Sequence, residues 1–280
     1  MEKLFMRFPG GKLKALTLSY DDGVEQDEKL IDIMKRYGLK GTFNISSGLF
    51  NEEGHIYKAN QLHRRMTQKQ CEQLYVNSGM EIASHALTHP FLEELPQNVI
   101  VKEIYEDCCN LEDLTGGFVR GFVYPYGNFG DKTVGVLREM GICYARTTIS
   151  SHGFKMPTDW LRLKPTCAHV EPELEKLTEE FINIVDNGCI CPRLFFLWGH
   201  AYEFERDDNW DVIEKFAEKV GGREDIWYAT NIEIYDYQKA YNELIFDCGA
   251  TKCYNPTAIS VWISVDGKIH EVPAGQVIKL

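Results

Sequence analysis

The sequence has no run of 18 apolar residues, and Met1–Gly10 holds no uninterrupted apolar stretch of the kind a secretory leader carries. Neither a membrane-spanning helix nor a signal peptide is therefore expected, and the chain reads as soluble and cytoplasmic unless a leader lies outside the given sequence. Positive charge is short: 30 Lys and Arg stand against 42 Asp and Glu, for a net charge of −12. Nucleic acid and anionic lipid are bound through clustered Lys and Arg, so neither is an expected partner. Nine cysteines are scattered from Cys71 to Cys253 without the framework of a small secreted domain. Cys189-x-Cys191 has no second pair at zinc spacing, and the cysteines read as mostly buried free thiols. Internal repeats and low-complexity segments are also missing.

What remains is a globular composition, 44% hydrophobic and 26% charged over 280 residues. That suits one large domain with a sizeable core, or one domain plus a small appendage. Strand and helix patterns alternate. Ala15–Tyr20 reads as a buried strand, followed by a helix over 26–37, a strand over 42–45, a polar loop over 46–65 and a helix capped by Thr67. The alternation continues through helices over 98–114, 132–140, 171–185, 211–220 and 232–244, with strands at 118–124, 142–147, 161–163, 194–198 and 226–229. About seven strand and helix units predict an α/β fold, a deformed (β/α) barrel. From Ile245 the pattern turns to alternating β segments with an Asp266-Gly267 hairpin turn. This divides the chain into a barrel, 1–244, and a small β-hairpin appendage, 245–280.

Two strand ends carry chemistry. Leu16-Thr17-Leu18-Ser19-Tyr20 stops on Asp21-Asp22-Gly23. Neighbours on an extended chain point to opposite sides, so one carboxylate can bind a cation while the other accepts a proton; a plain Asp-Asp-Gly turn is the structural alternative. Glu81-Ile82-Ala83-Ser84 runs into His85-x-x-x-His89. Two imidazoles four apart share a face if the backbone is helical, which suits two ligands of one metal ion, with a carboxylate as the natural third.

These motifs resemble the polysaccharide deacetylases, carbohydrate esterase family 4 with its NodB-homology domain. The resemblance continues in order through Tyr124-Pro125-Tyr126-Gly127, Asp159-Trp160 and Leu197-Trp198-Gly199-His200, covering roughly residues 14–230. It implies removal of an N-acetyl or O-acetyl group from a carbohydrate. Asp21 would be the general base, Asp22, His85 and His89 the ligands of one divalent ion, and His200 the general acid. The ion would be zinc, with Co2+, Ni2+ or Fe2+ as alternatives. The Tyr126 backbone N–H would hold the oxyanion, and Trp160 and Trp198 would line a pocket for the acetyl methyl or else belong to the core.

One departure stands out. The family's third motif places an Arg two residues before the Pro, paired with the base; here that position is Val123. Arg120, Arg146 and Arg162 are the candidates to replace it. The remaining histidines, 55, 63, 152, 169 and 270, read as surface or packing residues, with His152 and His169 the first exceptions to look to because their loops flank the fourth motif. Formamides, cyclic amides and acetylated xylan are alternative substrates on this fold. A non-haem iron oxygenase would share the two-His, one-carboxylate set but leave Asp21 and His200 without a task, and a silent sugar-binding module would not need them.

Overall fold

The computed structural model describes residues 2–280. In chain order its strands and helices are β1 (Leu4–Arg7), β2 (Lys14–Asp21), α1 (Asp27–Arg36), β3 (Gly41–Ile45), α2 (Gln68–Tyr75), β4 (Glu81–Ser84), α3 (Gln97–Thr115), β5 (Gly121–Val123), α4 (Asp131–Glu139) and β6 (Tyr144–Arg146). There follow β7 (Cys167–Ala168), α5 (Leu174–Ile182), β8 (Arg193–Gly199), α6 (Ala201–Arg206), α7 (Asp211–Val220), β9 (Ile226–Tyr228), α8 (Asn231–Asn242), β10 (Ile245–Phe246), β11 (Lys252–Tyr254), β12 (Val261–Val265), β13 (Lys268–Val272) and β14 (Val277–Lys279).

β2 is the axis of the fold, and all eight of its residues are buried. One edge pairs in parallel with β8 along Lys14–Tyr20. The other is shared, with β9 beside Lys14–Leu16 and β3 beside Leu18–Asp21. The sheet runs β6-β5-β4-β3-β2-β8-β7, with β9 off this path. All its pairings are parallel, which requires helical crossovers and buries both faces, hence the near-continuous apolar runs of β2 and β8. The sheet curls because residues 163–168 touch both ends. Leu163 bridges Arg146 of β6, while Cys167 and Ala168 pair with Leu197 and Trp198 of β8. The α/β deformed barrel expected from the pattern is therefore present.

Local chemistry explains several elements. Thr67 and Gln70 form a reciprocal capping box at the start of α2, and Thr230 and Glu233 do the same for α8. Gly121 is glycine because the Tyr144 ring crosses it; a Cβ there would stand 2.1 Å from the ring. Tyr144 thereby reaches Glu81, to which its hydroxyl donates at 2.8 Å.

The differences from the sequence pattern have physical reasons. β7 and α6 are two and six residues long, too short for any periodicity to register. The strand expected over 161–163 is a 3-10 turn, Trp160–Arg162, from which only Leu163 joins the sheet. α5 starts three residues later than expected, because Glu171 turns back to accept from the Ala168 N–H at 2.7 Å.

Residues 245–280 form antiparallel structure. β10, β11 and β14 make one small sheet, while β12 and β13 form a hairpin whose turn, Asp266-Gly267, has positive φ at both residues. That hairpin pairs with β1 from the other end of the chain. It is tied to α8 through the Tyr237 hydroxyl, which donates to the Arg7 carbonyl and accepts from the Trp262 N–H.

Candidate active site and metal centre

The site gathers where β2, β4, β5, β6 and β8 end. β2 stops at Asp21, whose side chain is 3% exposed and held from two sides. Oδ1 accepts from Asn44 Nδ2 of β3 at 2.8 Å, and Oδ2 accepts from Arg146 Nη2 at the end of β6 at 2.5 Å. Burial pushes this carboxyl up, but Arg146, with smaller contributions from His85 and His200, outweighs burial and holds it below its usual range. Of the three arginines that could replace the family residue, Arg120 pairs with Asp236 and Arg162 with Asp159 and Asp131. Arg146 alone of the three reaches Asp21. Its guanidinium lies over the Trp198 ring, 4.4 Å from the centroid, and its Nε and Nη1 have no partner among the described residues.

At Asp22 the backbone passes into the left-handed region, φ 86, which swings its carboxylate out of line with Asp21. The two imidazoles arrive by turns. His85 and His89 lie in irregular chain, not on the helical turn the spacing suggested, and Ala86 and His89 have φ of 60 and 55. Their rings meet at 4.5 Å. His85 Nδ1 faces the Val123 carbonyl at 2.8 Å; a carbonyl only accepts, so Nδ1 carries the proton and Nε2 is left as a ligand. Thus the position that lacks the expected Arg still contributes its carbonyl. Burial pushes His85 down, and burial with the neighbouring His85 brings His89 to about 4, so both rings are neutral, the form that binds a cation. One donor atom from each of Asp22, His85 and His89 lies within 4.8 Å of the others. Two imidazoles and a carboxylate fit a divalent ion with positions left open.

Several supporting residues escaped the sequence reading. His63, assigned to surface or packing, has Nε2 3.0 Å from Asp22 Oδ2, and Arg65 donates to Asp22 Oδ1 at 2.9 Å. Burial would raise the Asp22 carboxyl, but His63 and then Arg65 lower it well below the normal range. α3 holds the histidine loop from beneath. Glu103 accepts from the Thr88 N–H and hydroxyl, and Asp107 accepts from Ser84, Ser47 and the His85 N–H. Both acids sit one turn apart on the stripe that carries Ile100, Ile104 and Leu111. Acids on an apolar stripe were the available signal.

His200 follows β8 and caps α6. Its Nε2 is 3.8 Å from Asp21 Oδ2, and its Nδ1 faces Glu203 Oε2 at 3.2 Å. Burial would lower this imidazole, but Glu203 and then Asp21 and Asp22 raise it above its ordinary value, so it carries a proton more readily. Trp198 lies beside it, ring centroids 5.8 Å apart. Tyr126, φ 57, is exposed, stacks on Phe91 at 4.1 Å and touches His89 at 4.4 Å. Trp160 is not brought to this group. It packs edge-on to Tyr235 of α8 and against an apolar cluster that includes Met6, Tyr237 and Ile263. A second acidic cluster, His152 with Glu171 and Glu173, is largely exposed and stands apart.

Residues 9–145 match the family model described as polysaccharide deacetylase. A Geobacillus stearothermophilus sequence, "uncharacterized 30.6 kDa protein in fumA 3′ region", is 27% identical over 134 residues, 46% of this chain and 44% of that one. The match thus spans less than half of that relative's length. Among solved structures, a Mycobacterium smegmatis protein assigned as a candidate polysaccharide deacetylase superposes with a TM-score of 0.59 at 18% identity, covering 84% of this chain and 93% of that one. The family 4 carbohydrate esterase of Streptomyces lividans, solved with acetate, gives 0.51 at 15% identity, covering 78% and 93%. The esterase domain of a multidomain xylanase from the Trinervitermes trinervoides hindgut metagenome gives 0.51 at 16%, covering 81% and 92%. At these identities the likeness is one of fold.

Proposed function

We propose, from the match of residues 9–145 to the polysaccharide deacetylase family model and the shared fold, that this chain is a metal-dependent hydrolase of that family that removes an N-acetyl or O-acetyl group from a carbohydrate. The observation that carries the reading is the convergence of Asp22, His85 and His89 beside a separately held Asp21, with His200 Nε2 3.8 Å from that same Asp21. A cation site alone would need no second, unshared carboxylate, and a structural site would leave no open position.

Asp22, His85 and His89 would hold the ion. When bound, it would polarise the acetyl carbonyl and make an attacking water more acidic. Asp21 accepts the proton of that water. Arg146 and Asn44 fix its two oxygens, so the base is aimed before substrate arrives, and Arg146 keeps it ionised. The Tyr126 N–H is the candidate donor to the oxyanion. His200, protonated on both nitrogens with Nδ1–H held by Glu203, gives its Nε2 proton to the departing amine. Acetate and a free amino sugar leave. Trp198 supports Arg146 from its face, and its ring edge toward His200 is the wall offered to the acetyl group.

The test is acetate release from N-acetylglucosamine oligomers, acetylated xylan and small amides by protein loaded in turn with Zn2+, Co2+, Ni2+ and Fe2+. Metal-dependent, oxygen-independent release supports the reading. Metal binding without hydrolysis of any of these substrates would make the chain a silent sugar-binding module, and turnover that needs oxygen would make it an oxygenase.

A further inference from the structure

His169 is 3% exposed, and neither of its ring nitrogens has a hydrogen-bond partner among the described residues. A buried imidazole with both nitrogens unmet is costly, and such a group calls for an explanation. The ring follows β7 and is clamped between two others. It stacks on Phe204 at 4.0 Å and on Tyr20 at 5.6 Å. It fits only because residue 199 is glycine: a Cβ there would stand 1.8 Å from His169 Nδ1.

Its two nitrogens therefore face different things. Nδ1 is pressed against the backbone of β8, where there is no acceptor for a proton. Nε2 faces Glu203 Oε2 at 3.6 Å, the oxygen that also receives the His200 Nδ1 and backbone N–H groups. Burial brings the His169 imidazole down to about 4, which leaves it neutral with one N–H to place. A proton on Nε2 has a carboxylate before it; a proton on Nδ1 has nothing.

We propose that His169 is a positioning residue for the general acid: its Nε2–H donates to Glu203 Oε2 and locks that carboxylate in the orientation that holds His200 Nδ1. Glu203 thus lies between two imidazoles, the inner one fixed by aromatic packing and the outer one facing substrate. The 3.6 Å separation closes to a hydrogen bond by a small in-plane turn of a ring whose tilt is already set by Tyr20 and Phe204. Arg206, 3.4 Å from Oε1, restrains the other oxygen only from the exposed side. The proposal rests on the reading of His200 as the acid.

The test uses the full, zinc-loaded chain and three variants. His169→Phe keeps the stacking and removes the donor, His169→Gln keeps a donor at about the place of Nε2, and His200→Ala reports on the acid itself. Steady-state kinetics are measured on an N-acetylglucosamine oligomer and on an aryl acetate, whose leaving group departs without a proton. The imidazole N–H resonance of His200 is followed by NMR. We expect His169→Phe to lose roughly tenfold in kcat on the oligomer, part of the ~10²–10⁴ that a positioned acid supplies, with KM and the aryl acetate rate near wild type. His169→Gln should recover most of that loss. The His200 Nδ1–H resonance should broaden or shift in His169→Phe and return in His169→Gln. An unchanged His200 resonance in His169→Phe overturns the proposal whatever His200→Ala does. Equal losses on both substrates in both His169 variants, with a lowered Tm, overturn it by making His169 a packing residue. If the resonance moves but His200→Ala keeps wild-type oligomer turnover, the linkage stands and the acid assignment falls.

Discussion

Arg146 at the end of β6 donates to Asp21 at the end of β2, and both side chains are buried, at 0% and 3% exposure. The residues are 125 apart in sequence, and β8 and residues 163–168 lie between their strands around the curl. A guanidinium and a carboxylate withdrawn together from water tolerate each other only as a pair. Arg146→Met should therefore cost on the order of 3–5 kcal/mol, the usual scale for leaving one member of a buried pair behind. Adding Asp21→Asn should return part of that loss. Urea unfolding of the two single variants and the double variant measures the coupling; strictly additive changes would show that the pair is not coupled.

Asp22 is held by groups outside the candidate metal triad. His63→Ala removes the partner of Oδ2 and should weaken metal binding by roughly 10–100-fold, the scale for residues that orient a ligand, while the fold persists. Calorimetric titration of Zn2+ into metal-free protein reads this directly. Unchanged affinity would make His63 the surface or packing residue that the sequence suggested.

Much of this site was legible in the sequence. Asp21, Asp22, His85, His89 and His200 are short-range signals, polar residues that interrupt apolar strands, and the fold brings them to one end of the sheet. Arg146 was one of three candidates, because pairing across the curl depends on how far β6 and β2 are rotated into each other, and no local pattern carries that. His63 sits in a long polar loop without periodicity, and only the loop's path over Asp22 gives it a role. Trp160 shows the converse. An aromatic in a matching motif packs against Tyr235 because the 3-10 turn ahead of Leu163 directs it toward α8.

Asp27 makes the stability of the fold depend on pH. Its carboxyl is fully buried beneath the Tyr75 hydroxyl, 2.6 Å away, and burial raises it to about 8. The unfolded chain gives up the same proton near ~4. Between these values the native state binds more protons, so this group's contribution is complete below about pH 4 and is lost as pH rises toward 8. Wild-type Tm should fall across that window relative to Asp27→Asn. Parallel curves for the two proteins would contradict the assignment.

His200 is tested through its leaving group. His200→Ala should lose most N-deacetylase activity, keep its metal and retain far more activity on an activated aryl acetate, because a good leaving group needs no proton. Equal fractional losses on both substrates, with a lower Tm, would make His200 a core residue.

In the proposed mechanism Asp22, His85 and His89 hold the ion while Asp21, beside them, takes the proton. Metal content and single-turnover acetate release from an N-acetylglucosamine oligomer, measured on the same preparations of wild type, Asp21→Asn and Asp22→Asn, separate the two carboxylates. Wild type should hold about one divalent ion. Asp21→Asn should keep that ion and lose roughly 10²-fold or more in rate, while Asp22→Asn loses both. Wild-type turnover in Asp21→Asn, or an unchanged metal content in Asp22→Asn, would contradict it.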